Sequence, residues 1–97
     1  PSQKTGEASG EQLYLKDIIQ KSFSQRNWNE AELSLKRFLR IKREKETENA
    51  ARFYLGQVYF FQGRYRESFL EFLLVQGMYR EVSPWLDRIL QELRSGN

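Results

Sequence analysis

The sequence predicts an all-α domain of five helices, folded as two helical hairpins followed by a capping helix. Three observations predict it. Apolar residues recur at spacings of three and four in five segments, separated by short stretches carrying Gly, Asn, Ser or Pro. The stretch Gln25-Arg26-Asn27-Trp28-Asn29-Glu30-Ala31 returns 37 residues later as Gln62-Gly63-Arg64-Tyr65-Arg66-Glu67-Ser68, with Gln, an aromatic, Glu and a small residue in the same order. The composition, 39% hydrophobic and 14% aromatic with a mean hydropathy of −0.75, suits an elongated array one layer deep and is too aromatic for a disordered chain.

Residues 1–10 are small, polar and Gly/Ser-bearing, and are expected to form a flexible tail before a single domain over 11–97. The first helix is expected over 11–24, with Leu13, Leu15, Ile18, Ile19 and Ser22 on its inner stripe. The second, over 28–41, starts at the candidate N-cap Asn27 with Glu30 three residues on. It buries Ala31, Leu35, Phe38 and Leu39, with Leu33 and Ile41. Small Ala31 lets an antiparallel neighbour approach closely. Residues 42–48 contain no apolar side chain and form a helix extension or the link between hairpins, with Thr47 as candidate cap of the third helix.

The third helix, over 48–62, is apolar around much of its circumference, so it packs on more than one side. Gly56 in its middle costs about 1 kcal/mol relative to Ala and makes sense where another helix crosses. The fourth helix, over 65–78, has Phe69, Phe72, Leu73 and Val75 as its core, and Gly77 ends it early or breaks its last turn. Ser83 is expected to cap a fifth helix, with Pro84 in its first turn. That helix runs over 84–94 and turns Trp85, Leu86, Ile89, Leu90 and Leu93 inward.

Several function classes recede on composition. Ninety-seven residues make one small domain that removes roughly 65% of its unfolded surface from water. Without Cys or His there is no disulfide framework and no zinc site of the usual kind. The six glycines are scattered, so no phosphate-binding loop is expected. Catalysis would fall to carboxylates, Lys, Ser or Tyr, and no such constellation is legible. The chain is therefore expected to be no enzyme and to need no cofactor or metal. No apolar run approaches the ~18 residues of a membrane span, and no segment reads as a signal peptide. The formal charge of +3 is modest. Lys36, Arg37, Arg40, Lys42, Arg43 and Lys45 form a basic run that could meet an acidic protein, phosphates or a lipid surface. Nucleic acid, which also wants aromatics beside the cations, is not the expected partner.

Extending the 37-residue alignment pairs Ile18 with Leu55, Leu35 with Phe72 and Phe38 with Val75. Leu55, Gly56, Tyr59, Gly63, Tyr65, Ser68 and Phe72 then fall at the spacings of the tetratricopeptide helix–turn–helix unit. The chain resembles the tetratricopeptide repeat (TPR) family over about residues 12–82, with repeats at 12–45 and 49–82. The first repeat is degenerate, with Ile18 and Ile19 in place of Leu-Gly and Ser22 in place of Tyr. In the second, Arg52 stands for the usual Trp and Arg80 for the usual Pro. The 37-residue spacing exceeds the usual 34 by about three residues, which the charged link over 42–48 absorbs.

The resemblance implies a right-handed α-α superhelix and a non-catalytic scaffold that binds another protein, as a peptide or an amphipathic helix, in a concave groove. It leans towards bacterial proteins of envelope or secretion machinery. Groove positions in this family lie on the first helix of each hairpin: here Lys16, Gln20 and Phe23, then Phe53, Gln57, Phe60 and Phe61. Phe53 and Phe60 are equally readable as core under Trp85, and exposure of at least two of Phe53, Phe60 and Phe61 distinguishes the two. A groove this aromatic could also be buried between two copies, as a homodimer. Chaperone adaptors of the family grip a C-terminal carboxylate with a Lys/Asn/Arg clamp. Lys16 matches its first lysine, but Gln20 and Tyr54 stand where it has Asn, so that activity is not expected.

Overall fold

The computed structural model describes residues 10–95. They form five helices and no strand: α1 (Gly10–Ser24), α2 (Trp28–Leu39), α3 (Lys45–Phe61), α4 (Tyr65–Leu74) and α5 (Val82–Ser95). The tail expected over 1–10 lies outside the described residues except for Gly10, which opens α1. Each helix packs on the next, and α1 also lies against α3. Tyr14 at the start of α1 meets Phe38 at the end of α2, so this pair is antiparallel. In the α3/α4 pair Phe60 meets Tyr65 while Phe53 meets Phe72, again antiparallel.

The 37-residue correspondence survives as burial. Ile18 and Leu55, Ser22 and Tyr59, Ala31 and Ser68, Leu35 and Phe72, and Phe38 and Val75 are all buried. One cluster joins α1, α2 and α3 around Leu35, Phe38 and Leu55. A second joins α4 and α5 around Phe72, Val75 and Ile89, with Phe53 and Phe60 of α3 packed on it. The third helix is thus sandwiched, as its two-sided apolar character requires. Gly56 marks the closest approach: a Cβ there would stand 2.9 Å from the ring of the fully buried Phe72. The Ser68 hydroxyl donates to the Gly56 carbonyl at 2.7 Å, so the crossing is hydrogen-bonded as well as close.

Helix ends depart from the expectations where side chains from elsewhere intervene. Asn27 does cap α2, its Oδ1 accepting from the Glu30 N–H at 3.3 Å. The same helix stops at Leu39 because Arg43 folds back: its Nε donates to the Phe38 carbonyl at 2.9 Å and its guanidinium covers the Phe38 ring at 3.8 Å. Leu33 and Ile41, expected inside, are exposed, as is Leu13 of α1.

Thr47 is not a cap. The third helix begins two residues before it, with Glu44 in the cap position and no side-chain cap bond. Nor does Ser83 cap α5, which starts at Val82, where a fully buried side chain anchors the first turn. Pro84 remains in that turn, where its missing N–H has no helical partner to lose. The fourth helix ends at Leu74, short of Met78. Val75 leaves helical geometry to bury its side chain, and Gly77 at φ +90° turns the chain towards α5. Leu73, expected in the core, and Leu74 consequently face out, and Leu90 and Leu93 of α5, expected to turn inward, are exposed as well.

Candidate partner-binding face

The first helices of the two hairpins, α1 and α3, run side by side and parallel, since Gln12 opposes Glu46 at one end and Phe23 reaches Gln57 at the other. Two concavities open between them. The first, of about 370 Å³, is lined by Gln12, Leu15, Lys16, Ile19 and Gln20 of α1 and by Glu46, Thr47, Ala50 and Tyr54 of α3. Its floor is apolar and its rim carries a cation, amides and a carboxylate. At its base the Thr47 hydroxyl is buried without a hydrogen-bond partner. Such a hydroxyl costs on the order of 1–3 kcal/mol of desolvation.

The second concavity, of about 460 Å³, is lined by Phe23, Arg26, Trp28, Gln57 and Phe61. Its wall is a ring ladder. Phe23 stands edge-on to Trp28 at 5.1 Å, and Trp28 stacks on Phe61 at 4.6 Å with the planes 17° apart. Phe23 also meets Tyr54 edge-on at 5.8 Å, and this contact divides the two concavities.

Of the residues expected in the groove, Lys16, Gln20, Phe23, Gln57 and Phe61 line this face. Phe53 and Phe60 do not. Phe53 packs on Tyr79 at 5.0 Å and Phe72 at 5.7 Å; Phe60 packs on Trp85 at 5.2 Å and Tyr65 at 5.3 Å. Both are half-buried, and of the three phenylalanines only Phe61 is exposed, at 47%. Positions 53, 57, 60 and 61 share one broad side of α3, but Phe72 of α4 and Tyr79 of the α4–α5 connection cover Phe53, and Trp85 of α5 covers Phe60. Sequence reasoning missed Arg26, Trp28 and the floor residues Leu15 and Ile19. A signal for Arg26 existed: it stands opposite Gly63 in the repeat.

The expected basic face divides. Lys36 pairs with Glu32 at 2.8 Å, Lys45 with Glu48 at 4.0 Å, and Arg43 reaches Glu11 at 3.7 Å while lying over Phe38. Arg37, Arg40 and Lys42 remain exposed and unpaired among the described residues.

The strongest electrostatic perturbation lies at the junction of the hairpins. Glu32 of α2 accepts from Lys36 at 2.8 Å, Gln62 at 3.0 Å and Arg64 at 2.8 Å. Burial alone would raise its carboxyl, but the bonds from Lys36, Gln62 and Arg64 together hold it down at about 2. The Arg64 guanidinium also lies 4.6 Å over the Tyr59 ring. Burial pushes the Tyr59 and Tyr79 phenols up. Among the described residues no group of three or more acidic, His or Cys side chains is placed to hold a metal ion, and no helix is long and apolar enough to cross a membrane.

No family model matches the chain, and neither the curated proteins nor the solved structures show a significant likeness to it.

Proposed function

We propose that this protein is a non-catalytic interaction module of tetratricopeptide type, binding a peptide segment of another protein along the α1/α3 face. The observation that carries the reading is that face: two parallel helices with an open apolar floor of Leu15, Ile19 and Ala50, edged by the exposed Lys16 and Gln20. An apolar floor takes side chains, and rim amides and charges fix a backbone lying across them. The buried correspondence at 37 residues and the close approach at Gly56 support the repeat architecture. A right-handed superhelical path is part of the same proposal.

A photo-crosslinking residue in place of Gln20 tests it. The expected product is a covalent adduct with a different polypeptide, and the same residue placed at exposed Arg88 on α5 yields none. Adducts from the Arg88 position alone would overturn the assignment of the face.

A second reading, a self-assembly domain, draws on one observation. Leu70, Leu73 and Leu74 form an i, i+3, i+4 stripe on the outer side of α4 and are 60%, 41% and 61% exposed. Sedimentation at increasing concentration decides it, since a mass fixed at that of one chain rules it out. The notion of a basic-face binder of anionic surfaces or nucleic acid draws only on Arg37, Arg40 and Lys42, and binding that persists undiminished in high salt would exclude it.

A further inference from the structure

The turn between α1 and α2 contains the one non-glycine residue of positive φ among the described residues, Arg26 at +54°. Its counterpart 37 positions on is Gly63, at φ +78° in the turn between α3 and α4. The two turns close alike. Asn27 N–H donates to the Ser22 carbonyl at 2.9 Å, and Arg64 N–H to the Tyr59 carbonyl at 2.8 Å. The left-handed conformation is thus required at both places, and glycine is the residue that adopts it without steric cost. An arginine at the first carries strain that glycine at the second avoids.

Nothing inside the fold repays that strain. Among the described residues the Arg26 side chain makes no hydrogen bond, ion pair or ring contact, and it returns no bond to the last carbonyls of α1. It lies at the edge of the second concavity, whose wall is Phe23, Trp28 and the exposed Phe61. Gln57 lies opposite, also without a partner among the described residues. No acidic side chain lines the cleft. An arginine at the edge of a cleft with an aromatic wall, with an amide across from it, complements a carboxylate flanked by an apolar side chain.

We propose that this cleft binds an internal acidic–apolar segment of a partner polypeptide, with Arg26 as its carboxylate-binding residue. The inference rests on the α1/α3 face being the binding face and names the chemistry at one end of it. The segment's aromatic or aliphatic side chain lies on Trp28 and Phe61. Its carboxylate takes N–H donors from Arg26, and Gln57 supplies a further amide donor.

The probe is the blocked tripeptide leucyl-aspartyl-phenylalanine amide, titrated into the intact protein alongside its asparagine analogue. Resonances of the Trp28 indole and the Phe61 amide are followed by NMR. The aspartyl peptide is expected to shift both and to bind at least roughly tenfold more tightly than the analogue, the scale of a charged hydrogen bond. Arg26→Gly is expected to abolish that preference while melting at or above the wild-type Tm, since glycine suits the turn. Arg26→Lys keeps part of the preference.

Five results would overturn the proposal: equal binding of the two peptides, a preference that survives in Arg26→Gly, a lower Tm for Arg26→Gly, shifts confined to Lys16, Ile19 and Tyr54, or absence of binding by either peptide. The Gln20 crosslink is read independently, so the broader function can stand when this inference falls.

Discussion

Replacing Glu32 with Gln keeps the side chain's shape and removes its charge at the junction of the two hairpins. The carboxylate is only 14% exposed and accepts from Lys36 and Arg64, each at 2.8 Å, and from Gln62 at 3.0 Å. Its partners come from α2, from the residue that follows α3 and from the residue that precedes α4, so it ties the first hairpin to the second turn. With the carboxyl at about 2 in the fold against 4.5 when free, full linkage corresponds to about 3 kcal/mol. Lys36 and Arg64 are 48% and 38% open to water, and screening reduces this to about 1–2 kcal/mol. The sign follows from the depressed pKa. The contribution is complete above pH 4.5 and disappears as pH falls towards 2. Thermal melts of both proteins, followed by far-UV circular dichroism, are expected to show Glu32→Gln lower by roughly 5–10 °C near neutrality. The two curves should converge over the acid limb. Equal Tm values at neutral pH, or a gap that stays constant from pH 4.5 to 2, would refute the linkage.

Two further substitutions probe the core and the groove base. Gly56→Ala gains about 1 kcal/mol of helix propensity but drives a methyl to 2.9 Å from the Phe72 ring. Overpacking of about 1–3 kcal/mol outweighs that gain, so urea denaturation is expected to show a net loss, with part of it recovered in Gly56→Ala/Phe72→Leu. A Gly56→Ala protein more stable than wild type would contradict the close crossing. Thr47→Val removes a buried hydroxyl that has no partner and is expected to stabilise by about 1 kcal/mol in the same assay. A loss of stability there would mean that the hydroxyl is bonded within the fold.

Much of the fold was legible because helices report their buried face locally. Leu15, Ile18, Leu35, Phe38, Leu55, Phe72 and Ile89 fall at helical spacing, and all are buried. Asn27 advertised its cap by type and position, and Gly56 advertised a crossing by its cost in mid-helix. Lys16, Gln20, Phe23, Gln57 and Phe61, expected on one groove, lie along the face between α1 and α3, because parallel first helices expose corresponding positions. Phe53 and Phe60 were ambiguous in sequence. A phenylalanine beside the core stripe is groove or core according to what crosses over it, and Trp85 and Tyr79 do so here.

What the sequence by itself determined is the helical class, the internal repeat and the central buried stripe of the helices. These depend on spacing along a single helix. It did not determine how far that stripe extends: Leu13, Leu33, Ile41, Leu73, Leu90 and Leu93 lie exposed. Tertiary structure alone decided where the helices stop, as when Arg43 reaches back to the Phe38 carbonyl or Val82 is drawn into the core. It also decided that Glu32 has three donors from three directions, that Lys36 and Arg43 leave the basic face for partners, and that Arg26 stands strained beside an aromatic cleft. The contacts of Glu32 with Gln62 and Arg64, and of Arg43 with Glu11, join residues distant in the chain. Their geometry is set by how one helix crosses another, and no periodicity within a single helix encodes that.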